Sequence, residues 1–534
     1  MATKTMSYHL EIQTHGRNPY GVVRTSYREN GKVKHENLCR LTGLPLEKLK
    51  TIQAAMQDKA IAKDDFKILS SKEYGASYAA CSILKELGLH KAIHSHHWQE
   101  WVKASVAMIA GRLVYQGSKL SLSNCKPYSA LWEVCGIDGG IDVDKHCYSA
   151  MDKLFARQEA IQTALAKKHL EGGTLVLYDI TSCYMEGAYG DSEIVAFGYN
   201  RDNKRKHEQI VVSLLCSKNG CPIATEVFKG NTKDETTVMG KINELQQKYG
   251  LEKVIFVGDR GMATQAKYRQ INHETVKVVT ALSHSKIQEL CDKGTIQISV
   301  FDEDGIVEAI DGAFRYMLCK NPVMAKKEGE TRQKLIKLTT DGLDKIIAST
   351  RKTKYSKPVR AGRAVNKYKM AKFIVFEGAD DNLSYKVDTD RVAKEAALDG
   401  CYIVYTDVPE ADISAVEAVN SYKSLIQVEQ AFRNLKTARL EIRPVYHKTD
   451  DRIKCHVFIC MLSYYVMWHM VQRLKPLADI DGVGANRKYT FDYILETLKS
   501  VRYDTVEIMD AQTNIVTTPN EEQSHILNLL GVAV

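Results

Sequence analysis

Apolar positions recur along this chain with two different periods, and the change of period divides it. Residues 18–40, "NPYGVVRTSYRENGKVKHENLCR", alternate around Glu29-Asn30-Gly31, a turn signal, and predict a β-hairpin. Residues 41–59, "LTGLPLEKLKTIQAAMQDK", predict a short helix entered through Pro45. From 72 to 135 the period is helical, in "SYAACSILKELGLHKAI" and then "WQEWVKASVAMIAGRLVYQG". His90, His94, His96 and His97 cluster between these two stretches. Their spacing fits no standard metal-ligand set, so the reading is a solvated helix junction. "YSAMDKLFARQEAIQTALAKKHLEGG" predicts one more helix with a Gly-Gly stop.

The pattern then changes to strands. "TLVLYDIT" and "KVIFVGDRG" are apolar runs ending in Asp179 and Asp259. Between them, "QIVVSLLCSKNGCPIATEVFKG" predicts a hairpin turning at Asn219-Gly220, and "TKDETTVMGKINELQQKYG" an amphipathic helix. "ATQAKYRQINH" reads as helix and "TVKVVTAL" as strand. Strands separated by helical crossovers predict a mixed sheet. Residues 284–413 read as strand-rich and charged: "TIQISVFDEDGIVEAI" and "FRYMLCK" as antiparallel strands around an exposed surface, "GCYIVYTD" as the closing strand. Next come a long helix, "AVEAVNSYKSLIQVEQAFRNLKTA", and "HVFICMLSYYVMWHMVQRL", apolar nearly all round and expected against the sheet. The tail predicts a short helix "FDYILETLKS", two strand-like runs, and "SHILNLLGV".

Composition narrows the class. The 534 residues are too many for one domain, and 44% hydrophobic with 26% charged is ordinary for a globular chain. The longest apolar runs are interrupted short of a membrane span, and the N-terminus has no signal-peptide core, so neither membrane nor secretion is expected. Thirteen cysteines, with no CxxC pair, point to reduced thiols in a cytosol. A net charge of +9 is compatible with a polyanionic partner. The segment 351–372, "RKTKYSKPVRAGRAVNKYKMAK", holds nine Lys or Arg and no acid.

The candidate chemistry rests on carboxylates. Asp179 and Asp259 each follow a buried strand, and a crossover can make those strands parallel neighbours with both acids at one edge. Two carboxylates there repel unless one is protonated or a divalent cation bridges them, and oxygen ligands favour Mg2+ or Mn2+. Taken singly, either Asp reads first as a loop cap at a strand end; the pair at one edge of the same sheet is what favours a metal site. The helix "YKSLIQVEQAFRNLK" supplies a third acid, Glu429. Seven residues make nearly two helical turns, so Tyr422, Glu429 and Lys436 form one stripe. Leu425 a turn before Glu429 and Arg433 a turn beyond it are expected on the same face. Leu425, Ile426, Val428, Phe432 and Leu435 surround that stripe. The plainer reading is a surface helix with a Glu429–Arg433 pair.

These residues resemble the DDE transposases of bacterial insertion sequences, of the IS-four superfamily. The hallmark of that superfamily is Y-x-x-R-x-x-x-E-x-x-x-x-x-x-K. This chain has Tyr422, Glu429 and Lys436 at those spacings and Leu425 in place of the Arg. "LYDIT" and "FVGDRGMAT" resemble the segments around the two family aspartates, and "FGYNRDNKRKHEQIVVSLL" and "ATEVFKGNTKDETT" the stretches between them. The resemblance covers about 172–283 and 400–470.

It implies a multidomain α/β protein with an RNase H-like mixed-sheet catalytic core interrupted by an insertion. In chain order this gives an N-terminal hairpin and helix (1–70), a helical DNA-binding region (71–170) and the leading segment of the catalytic core (171–283). A β-rich insertion (284–413), the closing segment of the core (414–474) and a small C-terminal region (475–534) follow. Asp179, Asp259 and Glu429 would be the catalytic, metal-binding acids, holding two Mg2+, with Mn2+ expected to substitute. Tyr422, Lys436, Arg433, Lys423 and Arg260, with Lys352, Lys354, Arg360 and Arg363 of the basic segment, would contact DNA. The plainer reading of that segment is a solvated loop. The implied activity is cleavage of double-stranded DNA at terminal inverted repeats, bound by residues 1–170, and joining to a target. A homodimer in a synaptic complex and a bacterial cytoplasmic, nucleoid-associated location follow from the same resemblance. Two other readings compete: a transposase-derived DNA-binding protein without catalysis, and an RNase H-like nuclease without strand transfer.

Overall fold

The computed structural model describes residues 7–14, 18–29, 32–57, 66–170, 174–200, 204, 206–233, 237, 249, 254–259, 276–294, 296, 306–312, 314–350, 354–378, 382–437, 440–481, 487–508 and 511–534. They fall into two compact units. One comprises Met1–Ile161 with Asn434–Val534, the other Gln162–Arg433. The helix expected over 263–273, nearly all of the one expected over 232–250, and the Asn30-Gly31 turn itself lie outside the described residues.

The first unit opens with β1 (Ser7–Gln13), β2 (Tyr20–Glu29) and β3 (Lys32–Leu41), an antiparallel sheet in that order. The predicted hairpin is β2–β3, registered to Glu29↔Lys32, and β1 adds a strand beyond it. Helix α1 (Leu46–Met56) starts after Pro45 and packs on β1. After β4 (Phe66–Glu73) come α2 (Gly75–Glu86), α3 (Leu89–Ile93), α4 (Glu100–Val114), α5 (Lys119–Ser123) and α6 (Leu131–Val134). The one helix expected over 148–173 is two, α7 (Ser149–Phe155) and α8 (Gln158–His169). The chain turns between them, where Arg157 N reaches back only three residues to Leu154 O at 3.0 Å.

The second unit is built on an eight-stranded mixed sheet. Its strands are β5 (Thr174–Tyr184), β6 (Gln209–Ser217), β7 (Pro222–Lys229), β8 (Val254–Gly258), β9 (Val276–Ala281), β10 (Val307–Asp311), β11 (Phe314–Lys320) and, late in the chain, β14 (Cys401–Thr406). Their order is β10-β11-β14-β9-β8-β5-β6-β7. β5, β8 and β9 are parallel, and every other neighbouring pair is antiparallel. The β6–β7 hairpin turns where expected, with Gly220 at φ 79°, a left-handed conformation open to glycine.

Residues 284–413 depart from the strand-rich reading. They hold α9 (His284–Asp292), α10 (Pro322–Ile347), α11 (Lys357–Lys367) and α12 (Thr389–Ala396), with a small pair, β12 (Ile374–Glu377) and β13 (Ser384–Val387). The 26-residue α10 escapes a reading by periodicity because its charges mask a thin apolar stripe. Its start signal is present: Asn321 accepts from the amides of Val323 and Met324, ahead of Pro322. Nor do β10, β11 and β14 surround an exposed surface. β11 and β14 are buried and extend the main sheet.

The predicted long helix after β14 is two, α13 (Ala415–Lys423) and α14 (Leu425–Lys436). The remainder of the chain returns to the first unit as α15 (Asp450–Arg473), α16 (Lys475–Asp481), α17 (Phe491–Lys499), β15 (Arg502–Ile508), β16 (Ala511–Val516) and α18 (Glu521–Leu530). Within the first unit the apolar helix α15 packs on α2, α4 and α7. A helix apolar on all sides is covered equally well by helices or strands, so sequence alone does not choose. β15 pairs with both β16 and β4, and Ser71 Oγ donates to Asp504 Oδ1 at 2.5 Å. Among the described residues no helix is long and apolar enough to cross a membrane, and none of the thirteen cysteines is in a disulfide.

Candidate active site

β5 and β8 have no polar face. Val176, Leu177, Tyr178, Phe256 and Val257 are buried, as parallel strands covered on both sides require. Their ladder runs from Thr174↔Val254 to Tyr178↔Gly258. The next residue on each strand is the aspartate. Asp179 and Asp259 therefore leave neighbouring strands at the same level, as the sequence predicts. One detail differs: Asp179 is not at a strand tip. β5 continues to Tyr184 because its other edge stays paired with β6, through Tyr184↔Gln209. What ends at Asp179 is the pairing with β8.

Asp179 is half-buried and one of its oxygens accepts from the Ile180 amide at 2.8 Å, while Asp259 is exposed. Burial keeps the nearby Tyr178 hydroxyl and Cys216 thiol neutral by pushing both above their ordinary ranges. Asp179 and Asp259 present two carboxylates from neighbouring strands at one edge of the sheet. That pair of oxygen donors suits a hard divalent cation.

Helix α13 brings a phenol to the pair. It begins in a capping box: the Ser414 amide donates to Glu417 Oε2 at 2.9 Å, and the Glu417 amide to Ser414 Oγ at 3.3 Å. It packs on β8, β9, β11 and β14. From there the Tyr422 hydroxyl donates a long hydrogen bond, 3.5 Å, to Asp259 Oδ1. The chain tightens at Ser424, whose amide also reaches Ser421 O at 3.2 Å, and α14 begins. Gln427 of α14 lies against Gly220 in the β6–β7 turn, where any side chain would collide with it. The two helices thus cross the sheet from β8 to the β6–β7 hairpin.

α14 is amphipathic. Leu425, Val428, Ala431, Phe432 and Leu435 are buried, and Glu429 and Arg433 are exposed. Ile426, expected to pack beside the stripe, is 56% exposed. Glu429 and Arg433 do not pair, and neither makes a hydrogen bond or ion pair among the described residues. The expectation that Leu425 and Arg433 share the Glu429 face fails. They are eight residues, about 80°, apart around the helix, which puts one in the core and the other in solvent. Leu425 stands at the hallmark Arg position as a packing residue. Lys436 is half-buried and Lys423 exposed.

Among the described residues, Asp179, Asp259 and Glu429 are not gathered within the 4.8 Å of a closed three-ligand metal site. The structure brings Asp179, Asp259 and Tyr422 together, with Glu429 one helix further along. Arg260 and Lys352 lie outside the described residues. Lys354, Arg360 and Arg363 lie between β11 and β14. The last two are on α11, which packs on α10, and the Arg363 guanidinium sits over the Tyr355 ring at 4.0 Å. The segment expected as loop or DNA arm is thus helical from Lys357 to Lys367, opened by Pro358 in the first turn. His90 of α3 meets His97 edge to face at 5.0 Å, His94 lies tilted against His96 at 5.5 Å, and among the described residues the four form no ligand cluster.

Sequence reasoning misses Arg315. It is buried on β11, holds Glu308 with two hydrogen bonds, and donates to Val408 O at 3.0 Å and Ile413 O at 2.8 Å. It thereby fixes the link that launches α13. The only signal is a charged residue inside the apolar run "FRYMLC".

Residues 172–466, more than half of the chain, match the transposase DDE domain family, and the chain belongs to that family. It is a transposase. Among solved structures it is similar to the piggyBac transposase synaptic complex with hairpin DNA, at 8% identity and a TM-score of 0.35, over 79% of this chain and 75% of that one. No curated protein is similar to the chain in sequence.

Proposed function

We propose that this transposase binds the terminal inverted repeats of a bacterial insertion sequence of the IS-four superfamily, cuts the DNA and joins its ends to a target. The observation that carries the reading is the pair Asp179 and Asp259, one step beyond the β5–β8 ladder inside the family-matched region. The order β7-β6-β5-β8-β9, an antiparallel meander followed by two parallel strands, supports an RNase H-like core, extended by β14, β11 and β10.

Asp179 and Asp259 would hold a divalent cation, Mg2+ or Mn2+, with Glu429 completing a two-ion site. The ions, when bound, would activate a water or a DNA 3′-OH and stabilise the leaving oxygen. Tyr422 orients Asp259 through its hydroxyl. Arg433, exposed and unpaired among the described residues, and Lys436 grip phosphates beside the cut. A homodimer holding both ends, and action in a bacterial cytoplasm at the nucleoid, belong to the same reading.

The test uses the purified full chain, labelled duplexes carrying the inverted repeats that flank its reading frame, and a target plasmid. Metal-dependent nicks at the repeat ends and labelled joined product are expected. Cleavage without joining would leave a nuclease. Binding without either would leave a DNA-binding protein and overturn the proposal.

A further inference from the structure

The helical unit contains a cavity of about 590 Å³ that the catalytic reading does not use. Its wall includes Arg112 at the end of α4, Lys119 at the start of α5, Glu441 and His447 from the segment before α15, and His456 of α15. Two of these are cations taken out of water: Arg112 and Lys119 are each 5% exposed. Isolated buried charge is costly, so what answers it matters.

Arg112 is largely engaged. It donates to Gly117 O and, at 2.7 Å, to Glu441 O, and stands 3.8 Å from the Glu441 carboxylate. Its Nε remains a buried donor with no acceptor among the described residues. Glu441 is also held by the Gly117 amide at 2.8 Å, and it adopts a left-handed backbone, φ 38°, that is uncommon for a residue with a Cβ. Lys119 has no carboxylate among the described residues. Its Nζ contact is His456 Nδ1 at 3.4 Å. An ammonium can only donate, so Nδ1 is the acceptor and the proton is on Nε2, which lies 3.2 Å from Ile442 O and 3.4 Å from the Arg112 guanidinium. His456 is therefore neutral and cannot balance Lys119. One carboxylate faces two buried cations. Burial, then Arg112, pushes the Lys119 ammonium down to about 8, and burial, then Lys119, pushes His447 down to about 3. The basic groups around the cavity are short of negative charge.

We propose that this cavity binds a phosphate group, gripped by Lys119 Nζ and the Arg112 guanidinium. A phosphate offers the multiple acceptor oxygens that a point cation and a planar fork together engage, and its charge balances the wall. The same chemistry could come from a free phosphate or from the phosphodiester backbone of DNA.

The test titrates the full chain with inorganic phosphate by calorimetry. A parallel melt is followed by tryptophan fluorescence, which reports this unit because Trp98, Trp101, Trp132 and Trp468 all lie in it. Saturable, stabilising binding is expected. Lys119→Met should weaken it ~10- to 100-fold, the loss of one charge-assisted hydrogen bond. Lys119→Arg should stay within a few-fold. If a short duplex displaces phosphate from the wild type and binds Lys119→Met more weakly, the occupant is a DNA phosphodiester. If the duplex leaves phosphate binding untouched, it is a free phosphate. Absence of saturable binding to the wild type, or equal binding by a folded Lys119→Met, overturns the proposal.

Discussion

Arg315→Met should loosen the catalytic unit and leave the helical unit alone. Arg315 is 6% exposed and makes four hydrogen bonds: two to the Glu308 carboxylate, at 2.5 and 3.2 Å, and one each to the carbonyls of Val408 and Ile413. Methionine fills similar volume and removes all four. Breaking one partner of a buried ion pair typically costs about 3–5 kcal/mol, because the other is left uncompensated. The Glu308 side chain is 22% exposed, so water relieves some of that and the expected loss is the lower figure, about 3 kcal/mol. Arg315→Lys should recover only a fraction, since an ammonium lacks the fork that reaches both the carboxylate and the carbonyls. Urea unfolding followed by circular dichroism should show the destabilised transition. Tryptophan fluorescence, confined to the other unit, should not move. Cleavage should also fall, because the Val408–Ile413 link launches the helix that carries Tyr422 to Asp259. A shift under about 1 kcal/mol would mean the network is no more than a surface pair, and the reasoning would fail.

The remaining predictions concern DNA contacts and protonation. Arg433→Ala should slow single-turnover cleavage about as much as Lys436→Ala, with Arg433→Lys a partial rescue; wild-type rate for Arg433→Ala would assign the phosphate grip elsewhere. Replacing Lys352, Lys354, Arg360 and Arg363 by Gln should flatten the plot of log affinity against log salt, by roughly 0.9 per lost phosphate contact, and an unchanged slope would exclude the segment from the DNA path. Burial first, then Lys119, Arg452 and Arg112, pushes His447 down to about 3, whereas the unfolded imidazole takes up its proton near 6.5. Unfolding therefore binds a proton in that window. The helical unit should be fully stable above about pH 6.5 and lose stability as pH falls toward about 3, and His447→Gln should flatten that fall in fluorescence-monitored urea midpoints.

Sequence legibility follows the range of the forces involved. The parallel β5–β8 pair is readable because an uninterrupted run such as "TLVLY" fits a doubly covered strand, and the aspartate that follows each run marks where the β5–β8 pairing ends. Asn219-Gly220 announces its hairpin through the left-handed turn it needs. Non-local pairings are not readable. Nothing local links β4 to β15, although Ser71 bonds Asp504 across 433 residues. The apolar helix α15 does not reveal which partner covers it. The break at Ser424 escapes because its residues are tolerated in a continuous helix, and that break, with the burial of Leu425, corrects the picture of the Glu429 face. The buried cluster around Lys119 is invisible because its members are scattered from Arg112 to His456.

The central claim, that Asp179, Asp259 and Glu429 serve as metal ligands for DNA cleavage, is tested most directly by exchanging one ligand atom. Asp259→Cys replaces a hard oxygen by a thiolate, which binds Mn2+ better than Mg2+. Single-turnover cleavage of labelled repeat ends by the purified, folded variant should be lost in Mg2+ and partly restored in Mn2+, while the alanine variants of all three acids stay inactive in both and bind the ends within a few-fold of wild type. Robust cleavage in Mg2+ by Asp259→Cys, or by any of the three alanine variants, would contradict the account.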